Sequence, residues 1–547
     1  MHDRLVRAGG SCTMVTMPPR VRDWRPFFVF VAALLLFSLR LTLFEARQTD
    51  ISALRVLAGD VPYRDFWTMY APGSFVLLAG VFRLTGAQLI VSNALGILTA
   101  AAGVAVYFTL VRRVATDVAA MLAAALVATV YFGTGYSDGF TSYPPALLLI
   151  LVAVRMVVDR VEAPGALWAV RPGLLLGAAA LFKHDVAGYA AVALATALVM
   201  VRASSGMGRA LGPLAVLAGC TALLPLGAVV VLVRLGAAAD AWTDLVQWPL
   251  GDFKYVRPEY FPLVVHLQTT LVGTVRELRG WATCNLPTVA VVMGLLSLRR
   301  SPEHTGRRTA LLVAFAVVAF ALHWWAAHVQ INTNAISLAA WGAVVAAVGL
   351  SRIRLPRPAV AAMCGVPGVW MLLAAAESGY LAAGHVLRAH TPVGLPHLSG
   401  IRATPEAAAD LRDLSMAMLD AGPRDAPLLF VSRRNDMMIY AQSVPFWLTD
   451  RRPATRYAEL HPGITDVERG QREMLAQMAR GRAPVVVREY RFDDETLDAT
   501  KAALQAHVPV GSTLLDSWID EHYVPSDAYG QYEVMAPRAD TLLRAIP

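Results

Sequence analysis

PFFVFVAALLLFSLRLTLF, Pro26 to Phe44, decides the class of this protein. Its apolar residues form one nearly unbroken run instead of falling at amphipathic spacing, and its length is close to the ~20 residues that cross a bilayer core. Arg4, Arg7, Arg20, Arg22 and Arg25 precede it with no small-residue cleavage pattern between, so it reads as an uncleaved first helix whose start stays in the cytoplasm. Beyond it the chain turns polar at once. FEARQTDISALRVLAGDVPYRDFWTMYAPG, Phe44 to Gly73, carries Glu45, Asp50, Asp60 and Asp65 to the outer face.

Ten further apolar runs follow, at 87–111, 117–134, 142–158, 170–183, 185–201, 210–235, 282–298, 309–326, 330–350 and 358–385. The whole chain of 547 residues is 56% hydrophobic and 16% charged, against roughly 45–50% and 25% in soluble domains. Its mean hydropathy is +0.50. Most of it therefore belongs in lipid. One apolar stretch is ambiguous: GSFVLLAGVFRLTG, Gly73 to Gly86, is only 14 residues and too short to cross. With that stretch lying in the interface, the cytoplasmic loops hold Arg112 and Arg113; Arg155, Arg160 and Arg171; Arg202 and Arg209; Arg299, Arg300, Arg307 and Arg308; and Arg352, Arg354 and Arg357. Letting it cross would turn most of these clusters outward, against the positive-inside rule. The expectation is about eleven spans, a cytoplasmic N-terminus and an extracytoplasmic C-terminus in the cytoplasmic (inner) membrane.

The net charge of +8 and pI near 9.4 are spread over short loops, which is topogenic charge and not a nucleic-acid patch. Four cysteines, Cys12, Cys220, Cys284 and Cys364, show no metal or disulfide spacing. From Thr391 onward the apolar runs shorten and turn residues multiply. Ala426–Ser432, Ala483–Tyr490 and Gln531–Pro537 read as strands, and Asp466–Arg480 and Glu495–His507 as helices. The fold class expected is an all-α polytopic membrane domain, residues 1–390, followed by a small α/β soluble domain, residues 391–547. No dinucleotide or phosphate-loop fingerprint occurs anywhere.

Chemistry is expected in the outer loops, 45–86 and 236–281. In the first, the pattern from Glu45 to Leu57 is amphipathic, GDVP is a turn, and a carboxylate at the helix foot could act as a base. In the second, DAWTDLVQWPLGDFKYVRPEYFP, Asp240 to Pro262, sets Trp242, Trp248, Tyr255 and Tyr260 beside Lys254 and Arg257. Such rings stack on sugar faces or anchor at the interface, and such cations pair with phosphate. LFKHDVAGY, Leu181 to Tyr189, interrupts two apolar runs with Lys183, His184 and Asp185 at an outer hairpin, where ionisable groups are costly unless used or paired. HWWAAHVQINTN, His323 to Asn334, offers His323 and His328, read chiefly as interhelical hydrogen-bonding groups with a headgroup site as the alternative. Tyr136, Asp138 and Tyr143 could line the same face.

GDVPYRDFWTMYAPG, Gly59 to Gly73, followed by SFVLLAGVFRLTG, resembles the first outer loop of GT-C glycosyltransferases. The likeness is to the group containing the Rhizobium-type lipopolysaccharide sugar transferases, the aminoarabinose transferase of lipid A and the protein O-mannosyltransferases. It extends over the transmembrane portion in helix order and loop lengths, while the sharp match is confined to this loop. The resemblance implies a juxtamembrane helix at Gly73 to Gly86, a lysine at Lys183 facing the acids of the first loop, and an aromatic and basic loop around Trp248. It also implies an acidic pair at Phe44 and Glu45. The first acid is Phe44 here, so the base would be Glu45 or Asp50, or the activity would be altered or lost.

The implied reaction moves a sugar from a polyprenyl-phosphate donor to an envelope lipid, glycan or protein. The lipid phosphate is a good leaving group, so one carboxylate to deprotonate the acceptor and cations on the phosphate suffice, giving inversion. Glu45, Asp50 and Lys183 are the expected catalytic residues. Asp60, Tyr63, Arg64, Asp65, His184, Asp185, Trp248, Lys254, Tyr255, Arg257 and His328 are the expected substrate contacts. No residue spacing demands a metal or other cofactor, although a divalent cation could bridge carboxylate and phosphate. The rivals are a lipid or solute transporter, against which stands the lack of paired broken helices, and a non-catalytic membrane scaffold.

Overall fold

The computed structural model describes residues 7–8, 11–12, 23–44, 47–133, 139–202, 206, 208–251, several positions between 288 and 296, 306–330, 335–351, 384, 387–436, 444–458, 460–461, 463–490 and 511–538. A short N-terminal hairpin pairs β1 (Arg7–Ala8) with β2 (Ser11–Cys12). The helices that follow are α1 (Arg25–Ser38), α2 (Gln48–Leu57), α3 (Gly73–Thr85), α4 (Leu89–Val111), α5 (Asp117–Gly133), α6 (Tyr143–Arg160), α7 (Val170–Phe182), α8 (His184–Arg202), α9 (Gly208–Arg234), α10 (Ala238–Trp242), α11 (Trp248–Leu250), α12 (Arg307–Gln330) and α13 (Ala335–Leu350). Four of the described helices are long and apolar enough to cross a membrane: Leu89–Val111, His184–Arg202, Arg209–Arg234 and Arg307–Ala326. Shorter apolar helices, among them Arg25–Ser38, Asp117–Tyr131, Leu167–Phe182 and Ser337–Gly349, pack beside them.

The bundle is built from small residues, as expected where lipid supplies no hydrophobic drive between helices. α7 lies on α9 through Gly173 and Gly177, whose added Cβ atoms would stand 2.6 Å from Cys220 Cβ and 2.6 Å from the Thr221 carbonyl. α4 meets the segment before α6 at Gly96, where a Cβ would lie 2.3 Å from the Gly139 carbonyl. The Asn93 amide donates to the Leu41 and Leu43 carbonyls at 2.9 and 3.1 Å, satisfying carbonyls of the turn that follows α1. α9 keeps an apolar face outward, with Leu226, Val230 and Val233 about 60% exposed. At one end of the bundle Arg112 pairs with Asp23 and Asp117, Arg25 with Asp117, and Arg113 with Asp159. Arg155 of α6 reaches the same Asp159 at 3.9 Å, so described arginines of two of the sequence's clusters meet at this end.

The C-terminal region has a four-stranded mixed sheet in the order β5 (Leu428–Ser432), β6 (Val485–Glu489), β8 (Tyr532–Pro537), β7 (Tyr523–Tyr529). β5 and β6 are parallel, and the other pairings are antiparallel. Ahead of it, β3 (Thr391–Pro392) pairs with β4 (Arg402–Ala403). The helices of this region are α14 (Pro405–Asp420), α15 (Pro445–Leu448), α16 (Glu468–Met478) and α17 (Leu514–His522). α14 starts where Thr404 caps it by accepting from the Ala407 amide, with Pro405 in the first turn. The three strands read from the sequence are present, each shorter by one to three residues. β7 was not read because YVPSDAY is polar and largely exposed, an edge strand with a bulge between Pro525 and Asp527. The helix expected at Glu495–His507 lies outside the described residues.

α3 behaves as its length suggests. Phe75, Leu78, Ala79 and Phe82 are buried, while Val76, Leu77 and Leu84 are exposed at 49%, 44% and 87%. The buried face packs not on the bundle alone but on the C-terminal region, with Phe82 perpendicular to Trp447 at 5.9 Å. One continuous core joins Ile51 and Ala53 of α2, Phe66, Trp67 and α3 to Leu398, Leu411, Trp447 and the sheet. The segment between α1 and α3 and the C-terminal region are thus packed as a single layer on the bundle.

Candidate active site

Asp50 stands at the third position of α2, where its Oδ2 accepts from the Arg47 amide at 2.8 Å and closes the helix start. Its Oδ1 accepts from Ser92 Oγ of α4 at 2.5 Å, and Ser92 Oγ in turn accepts from the Phe140 amide at 3.3 Å. The carboxyl is wholly buried, and burial pushes its pKa up to about 6 against the pull of those hydrogen bonds. Asp50 therefore ties α2 to α4, with both oxygens engaged.

The charged hairpin lies where α7 ends and α8 begins. Lys183 Nζ is 3.2 Å from Asp185 Oδ2, and the ammonium faces the rings of Tyr70 and Tyr143 at 5.3 and 5.2 Å. The lysine side chain is 11% exposed and the aspartate 24%. Asp185 Oδ1 accepts from the Val186 amide at 2.9 Å. Gly73 makes this meeting possible, because a Cβ there would stand 2.6 Å from the Leu181 carbonyl. The segment before α3 and the hairpin thus come together through Tyr70 and Gly73, and the acid beside Lys183 is Asp185. His184 hydrogen-bonds the backbone of Leu245, bringing the segment that follows α9 to the same hairpin. His323 of α12 is buried edge-on to Tyr189 at 5.2 Å, with Nδ1 on the Ala319 carbonyl of its own helix at 2.7 Å. That bond is intrahelical, not the interhelical one expected, because the carbonyl four residues back is the nearest acceptor.

The remaining first-loop residues form a clamp. Arg55 donates to Asp60 at 2.7 Å, to the Asp65 carbonyl at 2.8 Å and to the Thr455 carbonyl at 3.2 Å. Arg64 holds Asp65 through both oxygens at 2.8 Å and donates to the Leu235 carbonyl at 3.1 Å. Arg452 reaches Asp60 at 3.8 Å and Arg456 donates to the Tyr63 carbonyl at 2.7 Å. Tyr63 is fully buried, has φ of 69° and donates to the Tyr70 carbonyl at 2.9 Å. Burial, then the charge of Asp244, raises its pKa well above the ordinary tyrosine range. Tyr63, Asp60 and Asp65 therefore shape the loop.

Trp248 is buried at the centre of an aromatic cluster with Trp67 at 5.3 Å and His461 at 4.8 Å. It follows a π-helical turn, Thr243–Gln247, whose Asp244 is 3.4 Å from Arg456. Burial raises the Asp244 pKa to about 7 although Arg456 opposes the shift. Asp244, Arg456, His461 and Ser92 were not read from the sequence; their partners lie up to hundreds of residues away and leave no local spacing to find. Glu45, Lys254, Tyr255 and Arg257 lie outside the described residues, as do Tyr136 and Asp138. His328 lies on α12, its side chain outside them. Among the described residues, no three His, Cys, Asp or Glu side chains gather in a metal-holding group.

No family model matches this chain, and no curated protein does. Its fold has counterparts among solved structures. The structure of ArnT from Cupriavidus metallidurans bound to undecaprenyl phosphate aligns over 95% of this chain and 99% of its own, with TM-score 0.54 and 14% identity. The apo form of that protein gives a TM-score of 0.52 at 12% identity over 94% and 98% of the two chains. Archaeal oligosaccharyltransferase AglB from Archaeoglobus fulgidus, in complex with an inhibitory peptide and a dolichol-phosphate, aligns over 94% of this chain and 74% of its own, with TM-score 0.52 and 12% identity. The fold described above is the one that the ArnT and AglB structures share.

Proposed function

We propose that this chain is a membrane glycosyltransferase that moves a sugar from a polyprenyl-phosphate donor to an envelope acceptor. The observation that carries the reading is the hairpin cation Lys183, held at 11% exposure between Tyr70 of the first outer loop, Tyr143 of α6 and Asp185. A buried cation fixed at the mouth of a helix bundle by rings and one acid is suited to receive an anionic headgroup whose lipid tail lies along the helices. The shared fold supports this reading, since the aligned ArnT and AglB structures contain undecaprenyl phosphate and dolichol-phosphate.

In this reading the bundle spans the cytoplasmic membrane about eleven times, with the arginine end inside and the hairpin, loops and C-terminal region outside. Positive-inside counting supports it, and so does the packing of α3 against the C-terminal region. Chemistry is a single displacement with inversion at the anomeric carbon. Lys183 neutralises the departing phosphate, with Lys254 and Arg257 proposed to assist, while a carboxylate removes the acceptor proton. Glu45 and Asp50 are the first-loop candidates for that carboxylate. The test is incubation of purified protein with radiolabelled polyprenyl-phosphate sugars and envelope extract. Transfer of label to a lipid, glycan or protein product is expected, and none above a Lys183→Ala control would refute the assignment.

A further inference from the structure

We infer that the carboxylate which takes the acceptor's proton is Asp185, released for that task when the donor phosphate draws Lys183 away. This rests on the glycosyl-transfer reading and names the base within it. Four described acids of the two outer loops, Asp50, Asp60, Asp65 and Asp244, are engaged. Asp50 is wholly buried with Ser92 and the Arg47 amide on its two oxygens. Asp60 is held by Arg55 and Arg452, and Asp65 by both nitrogens of Arg64 and by the Val61 amide. Asp244 is buried against Arg456.

Asp185 differs on each count. It is a quarter exposed, it stands at the hairpin where two outer loops meet, and its one ion pair among the described residues is with Lys183 at 3.2 Å. That contact is exchangeable. A phosphodiester donor offers Lys183 two non-bridging oxygens, and its negative charge grows towards that of a dianion as the bond to the sugar breaks, so the flexible lysine stem can turn from Asp185 Oδ2 to a phosphate oxygen. Among the described residues Asp185 would then keep the Val186 amide on Oδ1, leaving Oδ2 to accept a proton. In the transfer, the acceptor O–H gives its proton to Asp185 Oδ2 and the oxygen's electron pair forms the new bond to the anomeric carbon. The bond from that carbon to the phosphate oxygen breaks, and its electron pair leaves with the lipid phosphate, whose charge Lys183 meets. Without donor, the base stays masked by Lys183.

The test uses full-length protein in nanodiscs, a panel of tritium-labelled undecaprenyl-phosphate hexoses and pentoses, and envelope extract as acceptor source. Asp185→Asn should lower transfer ~100-fold or more, the scale of a lost general base, while binding the donor at least as tightly as the parent, since nothing then competes for Lys183. With sodium azide as acceptor, which has no proton to lose, Asp185→Asn should form glycosyl azide at a rate near that of the parent. Asp185→Glu should recover part of the ordinary transfer. Weakened donor binding and loss of azide transfer in Asp185→Asn would overturn the inference by showing a purely structural role. So would near-parental transfer in Asp185→Asn with loss in Glu45→Gln or Asp50→Asn. A parent protein that transfers no sugar from any donor overturns the glycosyl-transfer reading itself, an outcome distinct from an active parent with an active Asp185→Asn.

Discussion

Arg456→Ala removes one of the contacts that hold the segments before α3 and after α9 to the C-terminal region. Arg456 is 17% exposed and donates to the Tyr63 carbonyl at 2.7 Å, while its charge faces Asp244 at 3.4 Å and Glu473 at 3.7 Å. A hydrogen bond from a charged donor contributes about 1.5–3 kcal/mol. An uncompensated buried carboxylate would add to the loss, up to the ~3–5 kcal/mol of a broken buried pair. Asp244 can avoid that cost by taking a proton. Its folded pKa, about 7, is raised above the unfolded value, so its contribution is stabilising at low pH and is lost as pH rises through about 7. Removing Arg456 raises that pKa further. The variant should therefore weaken docking by about 2 kcal/mol at pH 6, and by about 3–5 kcal/mol at pH 9, where the parent holds Asp244 ionised and paired. Hydrogen exchange of the peptides covering 60–72 and 455–466, corrected for intrinsic rates at each pH, reads both values as opening free energies. An identical loss at pH 6 and pH 9, or unchanged protection in 60–72, would refute the reasoning.

Two further outcomes follow from the packing and the charge pattern. Gly177→Leu should separate α7 from α9, because the first added carbon already meets the Thr221 carbonyl at 2.6 Å; gel filtration of the solubilised protein should show aggregation, and a monodisperse variant with parental melting would exclude this interface. Cysteines placed at Arg452 and at Arg113 in a background free of the four native cysteines should react with a membrane-impermeant maleimide from opposite sides, Arg452→Cys from outside intact cells and Arg113→Cys only after permeabilisation. Reversal of that pattern would invert the proposed topology.

Much of the fold was legible in the chain before folding, because burial in lipid is a property of runs of residues and needs no partner. Pro26–Phe44 and its successors announced helices, fourteen residues at Gly73–Gly86 announced one too short to cross, and valine-rich segments near 430 and 487 announced strands. The hairpin at Lys183 was legible for the same reason, since three ionisable residues between apolar runs must be used or paired, and its pairing partner lay two positions away.

What only the tertiary structure decided is which acids are engaged and which remain open. Asp50 and Asp185 look alike in sequence, each an acid at a helix start. The first is closed by Ser92, 42 residues away along the chain, and the second is held by one movable lysine. Nor does local pattern say that Tyr63 and Trp248 would be walled in by Arg456 and His461 of a region that reads as a separate unit. Hydropathy is written residue by residue, whereas the availability of a charged group depends on what the folded chain brings against it, and that is set by packing between segments far apart in sequence.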